Sequence, residues 1–359
     1  MTDKIRFAQL SFWFSHGHSL AAAAQSHAQA ELACVWDEDA ERGAAAAEKY
    51  GVPFVADMDE LLARDDVDAV GICSPTQLHG EHIIRAAEAG KHCLVEKPFT
   101  RTVAQADEAI RAAQAAGVQV MPAYNLRFSQ SNEKLKEIVD SGILGPLYHV
   151  RRRHGQMKYG PFGYDAERIV NDPASPWGAD PDAEGRRCLL HAGSHVVFWM
   201  LWMFGMPESV VSLSVARVPG LPAEDNNVSL FRYADGGPLV TLQSSQTETA
   251  APLATEIYGF EGAVVQTRGD GPSTQTEFAE LGALMLYREQ TKAWETIPDI
   301  DRAFNRPGAN SPSKFFEALA SDQPVPVSMH DGRRCVVLLE AAERAEAEKR
   351  QVEIAEVEA

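Results

Sequence analysis

A chain of 359 residues, 45% hydrophobic and 23% charged, has the size and composition of a soluble globular protein of about two domains. Its 33 Lys and Arg against 51 Asp and Glu leave a net charge of −18, which repels nucleic-acid backbones and anionic membranes and excludes both as expected partners. The longest apolar run, Val196–Met206, falls well short of the roughly 20 residues of a spanning helix, and the start Met1-Thr2-Asp3-Lys4 has no apolar secretory region, so a cytoplasmic protein is expected.

From residue 5 to about 122, short apolar runs at Ile5–Leu10, Glu31–Trp36, Val67–Ile72, His92–Val95 and Val118–Met121 predict strands. Helical patterns lie between them at His18–Gln29, Glu38–Tyr50, Asp57–Arg64, Gln77–Ala89 and Val103–Ala116, with Gly51, Gly90 and Gly117 where helices stop. The strand runs are continuously apolar rather than alternating, which fits burial on both faces of a parallel sheet with crossover helices. A doubly wound domain over residues 1–123 follows.

After Tyr124 the rhythm changes. A helix over Asn132–Asp140 stops at Ser141-Gly142, and Leu147–Arg153 begins segments that alternate as half-buried strands do. Further strands are predicted at Ser209–Arg217, Val228–Tyr233, Leu239–Gln246, Ala254–Gly259 and Ala263–Thr267, with turn signals at Asp235-Gly236-Gly237 and Glu261-Gly262. With helices at Cys188–Phe204, Ser313–Ala320 and Asp331–Lys349, residues 124–359 read as an α+β domain on an open, mostly antiparallel sheet. The acidic end Glu353–Ala359 is expected to fray.

Open parallel sheets bind ligands at the carboxyl ends of their strands. Gly90–Phe99 places the triplet Glu96-Lys97-Pro98 at such an end, where a lysine is a candidate for gripping or protonating a substrate oxygen; the plain alternative is a surface loop lysine. The five cysteines (Cys34, Cys73, Cys93, Cys188, Cys335) are scattered, odd in number and without a Cys-x-x-Cys pair, which fits buried free thiols.

Glu96-Lys97-Pro98 is followed by Ala123-Tyr124-Asn125-Leu126-Arg127-Phe128, by Leu144-Gly145, and by Gly193-Ser194-His195 in a helix ending at Gly205. In order and spacing these stretches resemble the glucose–fructose oxidoreductase / inositol dehydrogenase (Gfo/Idh/MocA) family, as do Asp65–Val70, Glu256–Gly259 and Glu261-Gly262, and the resemblance spans nearly the whole chain. It implies an NAD(P)-dependent dehydrogenase or reductase acting on a CH–OH group of a sugar, cyclitol or related polyol. It also implies a Rossmann domain followed by a substrate-binding domain whose sheet forms a homo-oligomer, a dimer or tetramer.

In the family register Ser11, Trp13 and His16 stand where the three glycines of the first turn belong, and only Gly17 follows at once. Ser11, Phe12, Trp13 and Phe14 are therefore the expected cofactor-turn residues, and two accounts stay open. Either Trp13 obstructs the pyrophosphate path, or the turn is rebuilt around Ser11, Ser15 and Gly17. Asp37, after the second strand, is placed to accept the adenosine ribose diol and repel a 2′-phosphate, which favours NAD over NADP; capping the next helix is its alternative.

The resemblance implies that Ser74, Pro75, Thr76 and His79 line the nicotinamide ribose, that Lys97 holds the reacting hydroxyl, and that Glu96 orients Lys97 or contacts that ribose. Pro98 is a candidate for a cis peptide bond. His195 matches the histidine that exchanges the hydroxyl proton, and His191, four residues earlier, stands where an aspartate usually orients it. No third ligand lies near this histidine pair, so no metal is expected. Arg127, in the matched Asn125–Phe128 element, is a candidate substrate contact; Tyr124, His154 and Trp177 are further candidates, with packing at least an equal alternative. Arg186, beside Arg187, is a candidate grip for a carboxylate or phosphate, with solvent exposure the commoner fate, and Arg151-Arg152-Arg153 reads as a solvated or interface strand. Two other functions stay open: a nucleotide- or metabolite-binding regulator retired from catalysis, and NAD-assisted elimination or glycoside cleavage.

Overall fold

The computed structural model describes residues 4–155, 188–217 and 223–358, apart from 235, 249, 252, 268, 270–281, 299 and 301–308. They form two compact units. The first holds the residues up to Tyr124 and the described part of 307–336; the second holds the described residues of 125–306 and those from 337 onward.

In the first unit β1 (Ile5–Leu10), β2 (Ala30–Trp36), β3 (Ala69–Ile72), β4 (His92–Val95) and β5 (Val120–Pro122) make a parallel sheet in the order β2-β1-β3-β4-β5. Every residue of β3 and β5 is buried, as strands covered on both faces require. Five helices connect the strands: α1 (His16–Ser26), α2 (Ala40–Tyr50), α3 (Met58–Leu62), α4 (His79–Glu88) and α5 (Val103–Ala116). Thr102 and Gln105 close a capping box at the start of α5, and α2 and α5 end at left-handed Gly51 and Gly117. The chain leaves β1 for β2 on one side and returns to β3 on the other. The strand order thus reverses between β1 and β3, where open sheets leave a crevice at their carboxyl ends.

The second unit opens with α6 (Gln130–Asp140) and is built on nine strands. These are β6 (Leu147–Gly155), β7 (Ser209–Val215), β8 (Asn226–Arg232), β9 (Leu239–Ser245), β10 (Thr255–Gly259), β11 (Gly262–Gln266), β12 (Leu284–Arg288), β13 (Ala293–Thr296) and β14 (Val352–Glu353). Their order is β13-β12-β11-β10-β6-β9-β8-β7-β14, antiparallel throughout except where β6 runs parallel to β9. Before β7 a π turn, Leu189–Gly193, runs into α7 (Ser194–Phe204), so the uninterrupted helix expected over 188–204 is wound wide at its start.

Two expectations for this unit are corrected. The alternation along β6 is real, but of the three arginines only Arg151 is exposed; Arg152 is buried. Its Nη1 donates to Thr255 Oγ1 and to Gln266 Oε1, and its guanidinium carbon stands 4.7 Å from the Trp199 ring centroid, which replaces the water a buried cation would lose. The chain end does not fray over the described residues: Glu353 belongs to β14, and Arg350 holds Glu356 at 2.7 Å.

A single cut after residue 123 does not divide the chain, because a late segment returns to the first unit. There α8 (Ser311–Ala320) buries Phe315 and Phe316, the latter edge-to-face with Phe7 of β1 at 5.2 Å. Gln119 fastens the return by accepting the Val325 N–H and donating to the Gln323 carbonyl. An amphipathic helix carries no sign of which sheet it covers, so this return is invisible to periodicity.

Candidate active site

At the carboxyl edge of the parallel sheet the chain leaves β1 through a turn without the usual glycines. Ser11 takes a left-handed backbone conformation, φ 67°, which costs a non-glycine residue roughly 1–2 kcal/mol. Gly17, not His16, makes the close approach of helix to strand: a Cβ there would stand 2.7 Å from the Ser11 carbonyl oxygen. The Ser11 hydroxyl accepts the Trp13 N–H at 3.1 Å, and the Phe14 N–H donates to the Cys73 carbonyl at 3.3 Å, tying the turn to the end of β3. Ser11 and Gly17 thus make the bend, and Trp13 is half-buried beside Phe14.

Asp37, at the end of β2, is buried and its four acceptor directions are taken. Oδ2 accepts the Phe12 N–H at 2.7 Å and Arg42 Nε at 3.0 Å; Oδ1 accepts the Asp39 N–H at 2.8 Å and Arg42 Nη2 at 2.6 Å. The cap of α2 is Asp39, which accepts from the Glu41 and Arg42 amides, so capping is not the work of Asp37. Glu38 also reaches Arg42, at 2.8 Å; burial pushes its carboxyl upward, and neighbouring Asp37 adds to the shift.

Lys97 is buried beyond the end of β4, its Nζ 5.3 Å from the Phe14 ring centroid, and the Lys97–Pro98 bond is cis. Burial lowers its ammonium from the ordinary 10.5 to about 8, against the opposing pull of Glu96 and Cys73. Burial also works against the charge on Glu96, but His16 and Lys97 outweigh it and hold that carboxyl below its usual range. Glu96 Oε1 meets His16 Nδ1 at 3.0 Å, and Oε2 accepts the Lys97 N–H at 3.0 Å.

Ser74, Pro75 and Thr76 are buried where β3 ends, and His79 begins α4. The His79 ring bridges two carbonyl oxygens, those of Ser74 and Pro98, each at 2.9 Å. It therefore fastens the β3 loop to the β4 loop at the residue after Lys97. Burial lowers its pKa, against the two carbonyls. The buried Ser74 hydroxyl has no hydrogen-bond partner among the described residues. Tyr124 is buried in the same unit with its hydroxyl beside Cys335, and burial raises it well above 10.

The second unit gathers its own cluster. His195, in the first turn of α7, stacks on His154 of β6 with ring centroids 4.9 Å apart and planes at 30°. His191 lies buried in the preceding π turn, whose Gly193 would place a Cβ 3.0 Å from Ser244 Oγ; Ser244 is the register partner of His154 on β9. Small residues thus let the turn press onto the strands that carry His154. Arg127, in the 3-10 turn Asn125–Phe128, places its guanidinium carbon 5.8 Å from the Trp202 ring centroid. Trp177 and Arg186 lie outside the described residues.

The structure therefore brings Ser11, Phe12, Trp13, Phe14, Asp37, Ser74, Pro75, Thr76, His79, Glu96 and Lys97 to one edge of the first sheet, and His154 and His195 together in the second unit. Two participants escaped sequence reasoning. Arg42 was detectable, since Glu38 and Arg42 are spaced as a helical i,i+4 ion pair. The contact of His16 with Glu96 joins residues 80 apart and leaves no local signal.

Residues 13–124 match the family model described as an oxidoreductase family with an NAD-binding Rossmann fold, and residues 132–265 match the GFO/IDH/MocA C-terminal domain. A scyllo-inositol 2-dehydrogenase (NADP(+)) of Bacillus subtilis (strain 168) is 24% identical over 310 residues, 83% of this chain and 82% of the relative. The uncharacterized oxidoreductase YhhX of Escherichia coli (strain K12) is 42% identical over 185 residues, covering 51% of this chain and 49% of the relative, so the chain spans about half of that protein's length. An oxidoreductase from Agrobacterium radiobacter, solved with NAD+, L-tartaric acid and magnesium, superposes with a TM-score of 0.78 at 19% identity, over 98% of this chain and 99% of that one, which shows the shared fold.

Proposed function

We infer that this chain, which belongs to the GFO/IDH/MocA oxidoreductase family, is a dehydrogenase or reductase that uses NAD(H) in preference to NADP(H) on a secondary alcohol of a sugar, cyclitol or related polyol. The observation that carries the reading is Lys97: a buried lysine lowered to about 8, beside an ionised Glu96, at the carboxyl edge of a parallel sheet. Structural lysines are seldom buried without such a purpose.

The residues fit a dinucleotide. The left-handed Ser11, the close approach at Gly17 and the unpartnered Ser74 hydroxyl suit a bound nucleotide chain, and Asp37 suits a ribose diol whose hydroxyls replace the Arg42 bonds. When bound, the nicotinamide supplies the hydride acceptor or donor. Lys97 grips the substrate oxygen and stabilises negative charge as its proton leaves, and Glu96 keeps Lys97 in place. His195 takes or returns the hydroxyl proton, with His154 and His191 setting its basicity. Arg127 and Tyr124 are assigned to the substrate walls.

The likeness to an inositol dehydrogenase supports a cyclitol or sugar as substrate. Although that relative's name carries NADP(+), the carboxylates of Asp37 and Glu38 around Arg42 support NAD here. The open face of the second sheet supports a homo-oligomer: Leu213 is 71% exposed and pairs across strands with Val228, 48% exposed, next to Val211 and Val215. The test is to denature purified protein, identify any released nucleotide by mass, and screen sugars and cyclitols for NADH formation. Absence of both a bound nicotinamide nucleotide and turnover with every compound screened would overturn the reading.

A further inference from the structure

Gln9 is fully buried in β1 among the apolar residues Phe7, Ala8 and Leu10, an unusual place for an amide. Its side chain runs along the strand to the carboxyl edge, where Nε2 donates to the carbonyl oxygens of Leu10 at 3.1 Å and Ser11 at 3.0 Å. The atom facing two carbonyl oxygens is the NH2 group, and both its hydrogens are then used. Room for the amide comes from Gly71, the register partner of Gln9 on β3, where a Cβ would stand 2.5 Å from Gln9 Oε1. The Ser11 carbonyl is thus held by Gln9 on one side and closely approached by Gly17 on the other.

We propose that Gln9 is a positioning residue for the nucleotide-binding turn: its two hydrogen bonds hold Ser11 in the left-handed conformation that glycine adopts freely. The inference rests on the nucleotide-binding reading above. A side chain in the strand supplies what a glycine in the turn would otherwise provide, and Gly71 is the space that allows it. Spacing alone does not reveal this, because Gln9 looks like a polar interruption in a core strand.

The test uses the full chain with Gln9→Met, which keeps length and burial but cannot donate, and Gln9→Leu as a second donor-free variant. Hydrogen–deuterium exchange across residues 11–17 is read without nucleotide, and NADH is then titrated. In both variants exchange in the turn rises about tenfold and the NADH Kd rises about tenfold, while exchange in β3 to β5 is unchanged, as fits loss of local hydrogen bonds. Adding Ser11→Gly to Gln9→Met brings the NADH Kd to within about twofold of Ser11→Gly alone, because glycine needs no clamp. Unchanged exchange in the turn, or an affinity loss that Ser11→Gly does not relieve, overturns the proposal. A wild-type chain that binds no nicotinamide nucleotide, while both variants still loosen the turn, overturns the nucleotide reading and leaves the clamp standing.

Discussion

Arg42 grips Asp37 with two guanidinium nitrogens, at 3.0 Å and 2.6 Å, on the same carboxylate that accepts the Phe12 N–H. The pair puts the one residue expected to repel a 2′-phosphate in contact with a residue able to bind one. In the wild-type chain Asp37 and Glu38 together outweigh the cation, so NADH is expected to bind more tightly than NADPH. Asp37→Ser leaves a small acceptor for the Phe12 amide but frees Arg42 of its buried partner; NADH affinity falls about tenfold and the preference turns toward NADPH. Calorimetric titration of both nucleotides checks this, and equal preference in the two proteins would return Asp37 to a purely structural role.

Lys97 carries a cost in stability that its proposed role would explain. The folded state holds it at about 8 while an unfolded chain holds it at 10.5, so between these values the unfolded state binds more protons. Below pH 8 the buried charge destabilises the fold, and the penalty is withdrawn as the pH rises toward 10.5. Lys97→Met is therefore expected to stabilise the protein at pH 7 by up to ~3 kcal/mol, with the gain disappearing near pH 10.5. Urea unfolding at several pH values measures it. Turnover is lost in the same variant by ~10²-fold or more, and in the wild type kcat/KM declines above about pH 8 as the cation is lost.

His195 stacked on His154 yields a contrast among three histidines. His195→Ala lowers kcat by ~10² to 10⁴-fold, the range for a positioned acid–base group. His154→Ala removes a neighbour rather than the proton carrier, so its expected signature is a shifted pH profile with a smaller loss of rate. His191→Asp supplies the carboxylate that the resemblance implies at this place, and its expected signature is turnover at or above the wild-type rate. Near wild-type turnover in His195→Ala would assign the proton to another residue.

How much of this was legible in sequence follows from the range of each interaction. The five parallel strands announce themselves because double burial writes continuous apolar runs, and the glycine stops because a left-handed helix end suits almost no other residue. Lys97, Glu96 and His195 were singled out as candidates through their motifs. By contrast, the Arg152 cluster and the clamp at Gln9 are polar groups inside apolar surroundings, and periodicity treats them as noise. The partners of Arg152, Thr255 and Gln266, come from strands more than a hundred residues away, and the clamp at Gln9 reaches only the next two carbonyls but depends on the space left by Gly71 of β3. β12 and β13 went unpredicted because Leu284–Arg288 and Ala293–Thr296 are short and contain polar residues, and their regularity comes from pairing, β12 with β11 and β13 with β12, rather than from their own composition.

The first turn decides between the two accounts of how this chain does without its glycines. If position 17 has taken over the close approach from position 16, Gly17→Ala must displace the Ser11 carbonyl, a backbone atom that cannot swing aside. The expected cost is ~1–3 kcal/mol of stability with a clear loss of NADH affinity. His16→Gly lacks that steric consequence: its side chain is 41% exposed, and its removal deprives Glu96 of one partner without disturbing the turn. Trp13→Gly is expected to loosen NADH binding, since Trp13 packs beside Phe14 and its amide is already committed to the Ser11 hydroxyl, so added chain freedom outweighs the space gained. Thermal unfolding and fluorescence titration of the three variants give the signs. Tighter binding by Trp13→Gly would mean that the indole obstructs the nucleotide, and that the turn is a damaged glycine loop rather than a rebuilt one.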